Sequence, residues 1–85
     1  MKTQNRVEKN YVDVEKLERL RKERNYTVSY INCTILEYQN RDVYRKKCNG
    51  KLQFNIEDIV RLSNLYDVFV DELIIFKEEI WYVRK

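Results

Sequence analysis

The residues of this 85-residue sequence that are best suited to chemistry are two cysteines, one glycine and a basic segment. Cys33 and Cys48 have no C-x-x-C spacing, and without any His they cannot complete a four-ligand zinc set. The lack of His also removes the commonest general base, and a single glycine, Gly50, excludes the glycine-rich loops that hold phosphates. We therefore expect no enzyme, no metal and no cofactor, and two reduced cysteines in the interior or at its edge.

The basic segment, residues 41–51, carries five basic residues against one acidic residue. Residues 55–80 carry two basic residues against seven acidic ones, so the positive charge is concentrated in one short stretch. Such a cluster is typical of a surface that binds phosphate groups, although a solvated helix face with no partner has the same composition. The charge distribution predicts double-stranded DNA as the partner and leaves a solvent-facing basic helix as the alternative.

The elements that must position the basic segment are predicted to be helices. The hydrophobic content of 44%, the charged content of 36% and the absence of Pro favour a single helical domain with one core. Capping residues and the spacing of apolar residues predict five helices, over residues 14–25, 28–37, 41–48, 56–66 and 70–75. Asp13, Thr27, Asn40 and Asn55 are the predicted N-caps, and Asn49–Gly50 is expected to end the third helix.

The second and third predicted helices, joined by a tight turn, have the arrangement of a helix-turn-helix motif, in which the second helix enters the major groove of DNA. On the third predicted helix, Tyr44 and Cys48 lie four residues apart and are expected to face inward. The outward side chains are predicted to read base edges: Arg41, Asp42, Arg45 and Lys46. Asn40 and Lys47 are predicted to contact phosphates.

Five segments resemble the lambda-repressor/Cro-like helix-turn-helix domains, also called the xenobiotic-response-element family: Val14–Arg24, Asn25–Thr27, Tyr44–Lys51, Phe54–Ile59 and Val68–Leu73. The resemblance implies an all-α, five-helix lambda-repressor-like helix-turn-helix domain, with Thr27, Asn49 and Lys51 on phosphates and the third helix on bases. The implied function is a sequence-specific DNA-binding transcriptional regulator of the phage or mobile-element type. It would act as a repressor that blocks a promoter as a dimer on a two-fold-symmetric operator.

Several positions depart from the family pattern. From Thr27 to Gly50 the spacing is about two residues longer than usual, and the Gly expected in the turn after the second helix is absent. Val28 stands where a phosphate-binding polar residue is usual, Asn32 where a small residue is usual, and Phe69 where a cap of the fifth helix is usual. These departures keep a second hypothesis open, in which the helix-turn-helix scaffold acts as a protein-binding inhibitor or anti-repressor.

The ends of the chain are expected to differ from the helix-turn-helix domain, which is placed at residues 13–76. Residues 1–10 are polar and mixed in charge, which favours a flexible N-terminal arm, placed at residues 1–12. The tail, residues 77–85, is rich in side chains that favour a short β-strand: Ile80, Trp81, Tyr82 and Val83. Because some relatives of the family pair C-terminal strands across a two-fold axis, these four residues are predicted to form a homodimer, the alternative being a final helical turn packed on the same chain.

No apolar run approaches the ~18 residues that are needed to cross a bilayer. The N-terminal residues also lack the apolar stretch of a secretory signal. We therefore expect no membrane partner and a cytoplasmic location.

Overall fold

The structure is a computed structural model that describes residues 11–75. This part of the chain is mostly helical and contains no strand, apart from one isolated antiparallel bridge between Val12 and Ile74. In chain order the elements are helices α1 to α4 and a short 3-10 helix: α1 (Val14–Glu23), α2 (Tyr30–Ile35), α3 (Val43–Cys48), α4 (Ile56–Tyr66) and the 3-10 helix Val70–Leu73. The predicted arm up to residue 10 and the predicted tail strand lie outside the described residues.

Helix α1 begins where its sequence signal predicts. The carboxylate of Asp13 accepts a hydrogen bond from the backbone N–H of Lys16 at 3.1 Å, which satisfies one of the free N–H groups of the first turn. The helix ends at Glu23, two residues before the predicted end, because Asn25 takes a left-handed conformation with φ of 61°. Leu17 is its buried residue.

Helix α2 is wound as a π-helix, which the sequence pattern did not predict. Thr27 Oγ1 accepts a hydrogen bond from the backbone N–H of Tyr30 at 3.0 Å, so the predicted cap of this segment is confirmed. The N–H of Leu36 donates to the carbonyl of Ile31, five residues back, at 2.9 Å. A π-turn therefore contains one residue more than an α-turn. The helix ends at Ile35, and Glu37 is left-handed with φ of 62°.

Helix α3 begins at Val43, two residues later than predicted. The side chain of Asn40 accepts a hydrogen bond from the N–H of Asp42 at 2.9 Å, so Asn40 forms a turn ahead of the helix and is not its N-cap. Asp42 occupies the cap position, but its side chain makes no capping hydrogen bond. The helix ends at Cys48, and Gly50 follows with φ of 89°, as predicted for a residue that stops a helix.

Helix α4 has the predicted bounds because of a complete capping box. Asn55 Oδ1 accepts from the N–H of Asp58 at 2.8 Å, and Asp58 Oδ2 accepts from the N–H of Asn55 at 3.0 Å. The apolar residues of this helix are not all buried. Ile59 is buried, whereas Ile56 is 69% exposed and Val60 is 40% exposed.

The last described element is a 3-10 helix, shorter than the helix predicted over residues 70–75. Phe69 precedes it and cannot cap it with its side chain. Glu72 instead accepts a hydrogen bond from the N–H of Phe69 at 3.2 Å. Leu73 is fully buried and is the residue by which this segment joins the core.

Within residues 11–75, the core is formed by ten buried apolar residues contributed from every segment. They are Val12, Leu17, Ile31, Leu36, Tyr44, Phe54, Ile59, Leu62, Tyr66 and Leu73. Val12 and Tyr11 were assigned to the flexible arm, and this boundary is wrong: the hydroxyl of Tyr11 donates to the carbonyl of Phe54 at 2.5 Å. The N–H of Ile75 also donates to the carbonyl of Tyr11 at 2.7 Å, so residues 11–12 belong to the domain.

Candidate nucleic-acid interface

The predicted base-reading residues lie at the surface, in two groups. Arg45 and Lys46 are exposed within α3, and Arg41 and Asp42 are exposed in the turn that precedes it. The four predicted base-reading residues thus lie in one contiguous segment, but only Arg45 and Lys46 are helical. In the described part of the chain, none of its three cations forms a salt bridge with an acidic residue within 4 Å.

The inner side of α3 is anchored to α1 by Tyr44, which is buried as predicted. The Tyr44 hydroxyl donates to Glu18 Oε2 at 2.7 Å, and its ring meets that of Phe54 edge-on, with ring centroids 6.3 Å apart. Glu18 also pairs with Arg21 at 2.7 Å, and this hydrogen bond is the main reason why the pKa of Glu18 lies below its usual value. Burial raises the pKa of the Tyr44 phenol, so that its hydroxyl remains a donor.

Lys47 was predicted to contact phosphate, and the structure places it in the interior instead. Its ammonium forms a salt bridge with Asp58 of α4 and donates to the hydroxyl of Tyr38 at 2.9 Å. The Tyr38 hydroxyl in turn donates to Asp58 at 2.6 Å. Burial acts to lower the pKa of Lys47, but the hydrogen bonds with Asp58 and Tyr38 outweigh it, and the pKa is raised. Because its ammonium is fully engaged inside the fold, Lys47 is removed from the phosphate-binding set.

The other predicted phosphate-binding residues are exposed: Thr27, Asn40, Asn49 and Lys51. The side-chain oxygen of Asn49 accepts from the N–H of Lys51 at 3.1 Å, which shapes the loop after α3. The oxygens of Thr27 and Asn40 are likewise occupied as acceptors, by backbone N–H groups of α2 and of the turn before α3. A phosphate needs donors, and the hydroxyl hydrogen and the amide NH₂ groups of these residues are not used in those bonds.

Asn32 is a residue of this region whose role the sequence analysis missed. It is completely buried in α2, and both ends of its side-chain amide bind residues beside or within α3. Its Nδ2 donates to the carbonyl of Asn40 at 2.9 Å, and its Oδ1 accepts from the N–H of Tyr44 at 2.6 Å. The available signal was a polar residue directly beside Ile31, on the side of α2 that is predicted to be apolar.

The two cysteines are free thiols in different environments. Cys48 is half-buried, and burial raises its pKa to about 11. Cys33 is exposed, so the prediction of an interior position is wrong for this residue. The prediction relied on the general tendency of free cysteines to be buried, whereas Cys33 follows the buried Ile31 by two residues and so lies on the opposite side of α2.

Further searches of residues 11–75 concern metals and membranes. These residues contain no group of three or more His, Cys, Asp or Glu side chains that could hold a metal ion. No helix in the same range is long and apolar enough to span a bilayer. The predicted dimerisation residues lie outside the described residues: Ile80, Trp81, Tyr82 and Val83.

Comparisons with protein-family models, with curated proteins and with solved structures give no match.

Proposed function

We propose that the protein is a sequence-specific DNA-binding transcriptional regulator, with α2 and α3 as a helix-turn-helix unit of the lambda-repressor type. The observation that carries the proposal is the row of exposed cations on and around α3: Arg41, Arg45, Lys46 and Lys51. Asp42 is the only acidic residue in this segment. Exposed cations without an acidic partner are the groups that neutralise phosphates and read guanine.

The rest of the described surface supports the same orientation toward DNA. Residues 55–72 carry five acidic residues, and their single cation, Arg61, is paired with Glu57 at 2.8 Å and with Glu37 at 3.4 Å. Asp58 among them is buried against Lys47, and the exposed acidic residues of this stretch would repel the phosphate backbone, whereas the basic segment would attract it. The charge asymmetry favours an approach in which α3 faces the duplex.

The π-helix offers a physical account of the unusual spacing between Thr27 and Gly50. One π-turn accommodates one additional residue while the backbone remains hydrogen-bonded, as the bond from Leu36 to Ile31 does here at 2.9 Å. A further part of the added length lies in the turn before α3, which places Arg41 ahead of the helix. The lengthened connection is therefore compatible with a packed α2–α3 pair.

In the proposed complex, α3 lies in the major groove and the loop after it lies on the backbone. Arg45 would read a guanine through O6 and N7, and Lys51 would contact a phosphate irrespective of sequence. A homodimer on a two-fold-symmetric operator would double this contact.

A second candidate function is binding to a protein partner as an inhibitor or anti-repressor. The observation that favours it is apolar exposure next to the basic segment. Ile56 and Val60 lie one turn apart on α4, with 69% and 40% of their surface exposed, and Leu52 in the preceding loop is 43% exposed. Exposed apolar residues on one helix face are more typical of a protein interface than of a DNA interface.

The test separates the two candidates by the salt dependence of binding. A site is selected from random duplex DNA, and the dissociation constants for that site and for random DNA are measured between about 50 and 200 mM salt. DNA recognition predicts a preference for the selected site and a steep loss of affinity with salt. Indifference to every duplex would reject the proposal and favour the protein partner.

Two variants and a matched control sharpen the test. Arg45→Ala is expected to lose ~1–3 kcal/mol of preference at one base pair. Lys51→Ala is expected to weaken all duplexes equally and to make the slope of log K against log salt shallower by about 0.9. Lys22→Ala removes the same charge from an exposed position of α1 and is expected to leave both quantities almost unchanged. Equal effects of Lys51→Ala and Lys22→Ala would show that net charge alone determines binding.

A further inference from the structure

The side chain of Asn32 reaches from α2 to both ends of the turn that precedes α3. The carbonyl of Asn40 and the N–H of Tyr44 are bound by one amide, at 2.9 and 2.6 Å. Asn32 is fully buried and Tyr44 is 1% exposed, so the hydrogen bond between them is shielded from water, while the bond to the carbonyl of the exposed Asn40 is partly buried. The two bonds therefore hold the entry and the exit of a five-residue segment, residues 40–44, at fixed positions.

Between these two fixed points lie the first two predicted base-reading residues. Arg41 and Asp42 are both exposed and precede the first residue of α3. A third hydrogen bond, from the N–H of Asp42 to the side chain of Asn40 at 2.9 Å, closes the turn internally. The backbone of this turn is thus fixed, while its two side chains point to solvent.

Helix α3 also depends on Asn32 for its own start. The side chain of Asp42 at the cap position makes no capping hydrogen bond. The N–H of Tyr44 belongs to the first turn, where no carbonyl of the same helix can accept it. Asn32 Oδ1 takes the place of the missing cap, from a different helix. A helix of six residues does not form stably without such outside contacts.

We propose that Asn32 is a positioning residue for base recognition: its amide fixes the turn that presents Arg41 and Asp42, and so determines the DNA sequence preference. This inference rests on the proposed DNA-binding function. Reading a base edge requires a side chain held within about 0.5 Å of its productive place, whereas a phosphate contact by a flexible lysine tolerates larger displacements. Release of the turn should therefore reduce sequence preference and spare general affinity.

The chemistry of the site requires an amide. Asn32 uses one side-chain donor and one side-chain acceptor at the same time. A carboxylate side chain lacks the donor, and an aliphatic side chain lacks both groups. The longer side chain of Gln would displace the donor and the acceptor from their partners. Asn32→Leu keeps approximately the side-chain volume and removes both hydrogen bonds. Ser63→Ala is the matched control, because Ser63 is also a buried polar residue, and its hydroxyl donates to Val60 within α4 at 2.8 Å.

The experiment measures the specificity ratio, the dissociation constant for random duplex divided by that for the selected site. Asn32→Leu is expected to lower this ratio about tenfold, the loss of one well-placed base contact, and to change the affinity for random duplex by less than about twofold. Ser63→Ala is expected to lower the melting temperature without changing the ratio. A purely structural role of Asn32 would weaken binding of Asn32→Leu to the selected site and to random duplex by the same factor, through the folded fraction, and would leave the ratio unchanged.

The outcomes distinguish this inference from the proposed function. If the unaltered protein prefers its selected site and Asn32→Leu keeps that preference, only the inference is overturned. If the unaltered protein shows no preference, the proposed function is rejected and the inference falls with it. Should Asn32→Leu not fold, amide hydrogen exchange in the unaltered protein decides: strong protection of Tyr44 relative to Val43, the first residue of α3, is expected, and equal exchange of the two would overturn the inference.

Discussion

Replacement of Lys47 by Met tests the buried ion pair that joins α3 to α4. The side chains of Lys47 and Asp58 are 6% and 4% exposed, so their charges are almost removed from water. Removing one partner of such a pair costs about 3–5 kcal/mol, because the other charge stays buried without compensation. Asp58 would retain hydrogen bonds from Tyr38 at 2.6 Å and from the N–H of Asn55 at 3.0 Å, which places the expected loss near 3 kcal/mol.

The assay is urea unfolding, with Lys46→Met as the control. Lys46 is exposed one residue away, so the same substitution is expected to change the free energy of unfolding by less than ~0.5 kcal/mol. A loss of ~3 kcal/mol in a domain of this size corresponds to a fall of roughly 12–24 °C in melting temperature. The double variant Lys47→Met/Asp58→Asn should recover part of the loss, because no unpaired charge remains.

The same pair of variants separates stability from binding. Lys46→Met is expected to weaken DNA binding and to make its salt dependence shallower, since the proposal places Lys46 at the DNA. Lys47→Met, measured where it is fully folded, is expected to keep the slope of the unaltered protein. If Lys47→Met were as stable as Lys46→Met, or if it alone changed the salt slope, the interior placement of Lys47 would be refuted.

Three further predictions concern titration, thiol reactivity and assembly. Pairing with Arg21 lowers the pKa of Glu18 in the fold, so the Glu18 carboxylate should stabilise the protein fully above its ordinary pKa of 4.5 and lose this effect as the pH falls through the folded pKa. The free energy of unfolding in urea should therefore differ between Glu18→Gln and the unaltered protein at pH 7, and the difference should disappear in acid. Cys33 should react rapidly with a thiol reagent at pH 8 and Cys48 slowly, and equal rates would contradict the burial of Cys48. Deletion after Glu78 should abolish a dimer seen by light scattering at ~100 μM, a concentration that reveals a dimer held by about 5.5 kcal/mol or more, and a dimeric truncated protein would reject the tail as the interface.

Local signals predicted three of the four N-terminal caps correctly. The caps at Asp13, Thr27 and Asn55 need only a side-chain oxygen and an N–H two or three residues later, so the sequence contains all the necessary information. The stop at Gly50 is equally local, because a left-handed φ favours glycine wherever the rest of the chain lies.

Features that depend on distant partners could not be predicted in this way. Lys47 belongs to a basic run, and only the position of Asp58 on α4 shows that its ammonium is turned inward. The role of Asn32 requires knowledge of where the turn before α3 lies. The general tendency of free cysteines to be buried predicted the wrong environment for Cys33, which is exposed on α2.

The bridge between Val12 and Ile74 has a consequence for how the domain folds and how it can be rearranged. It joins opposite ends of the described chain, so it closes a long loop and raises the contact order. Such a contact is expected to form late, and its loss should speed unfolding more than it slows folding. The two segments that the bridge pairs, at Val12 and Ile74, lie side by side, which is the geometry that permits circular permutation, with new termini placed in the exposed loop at Gln53.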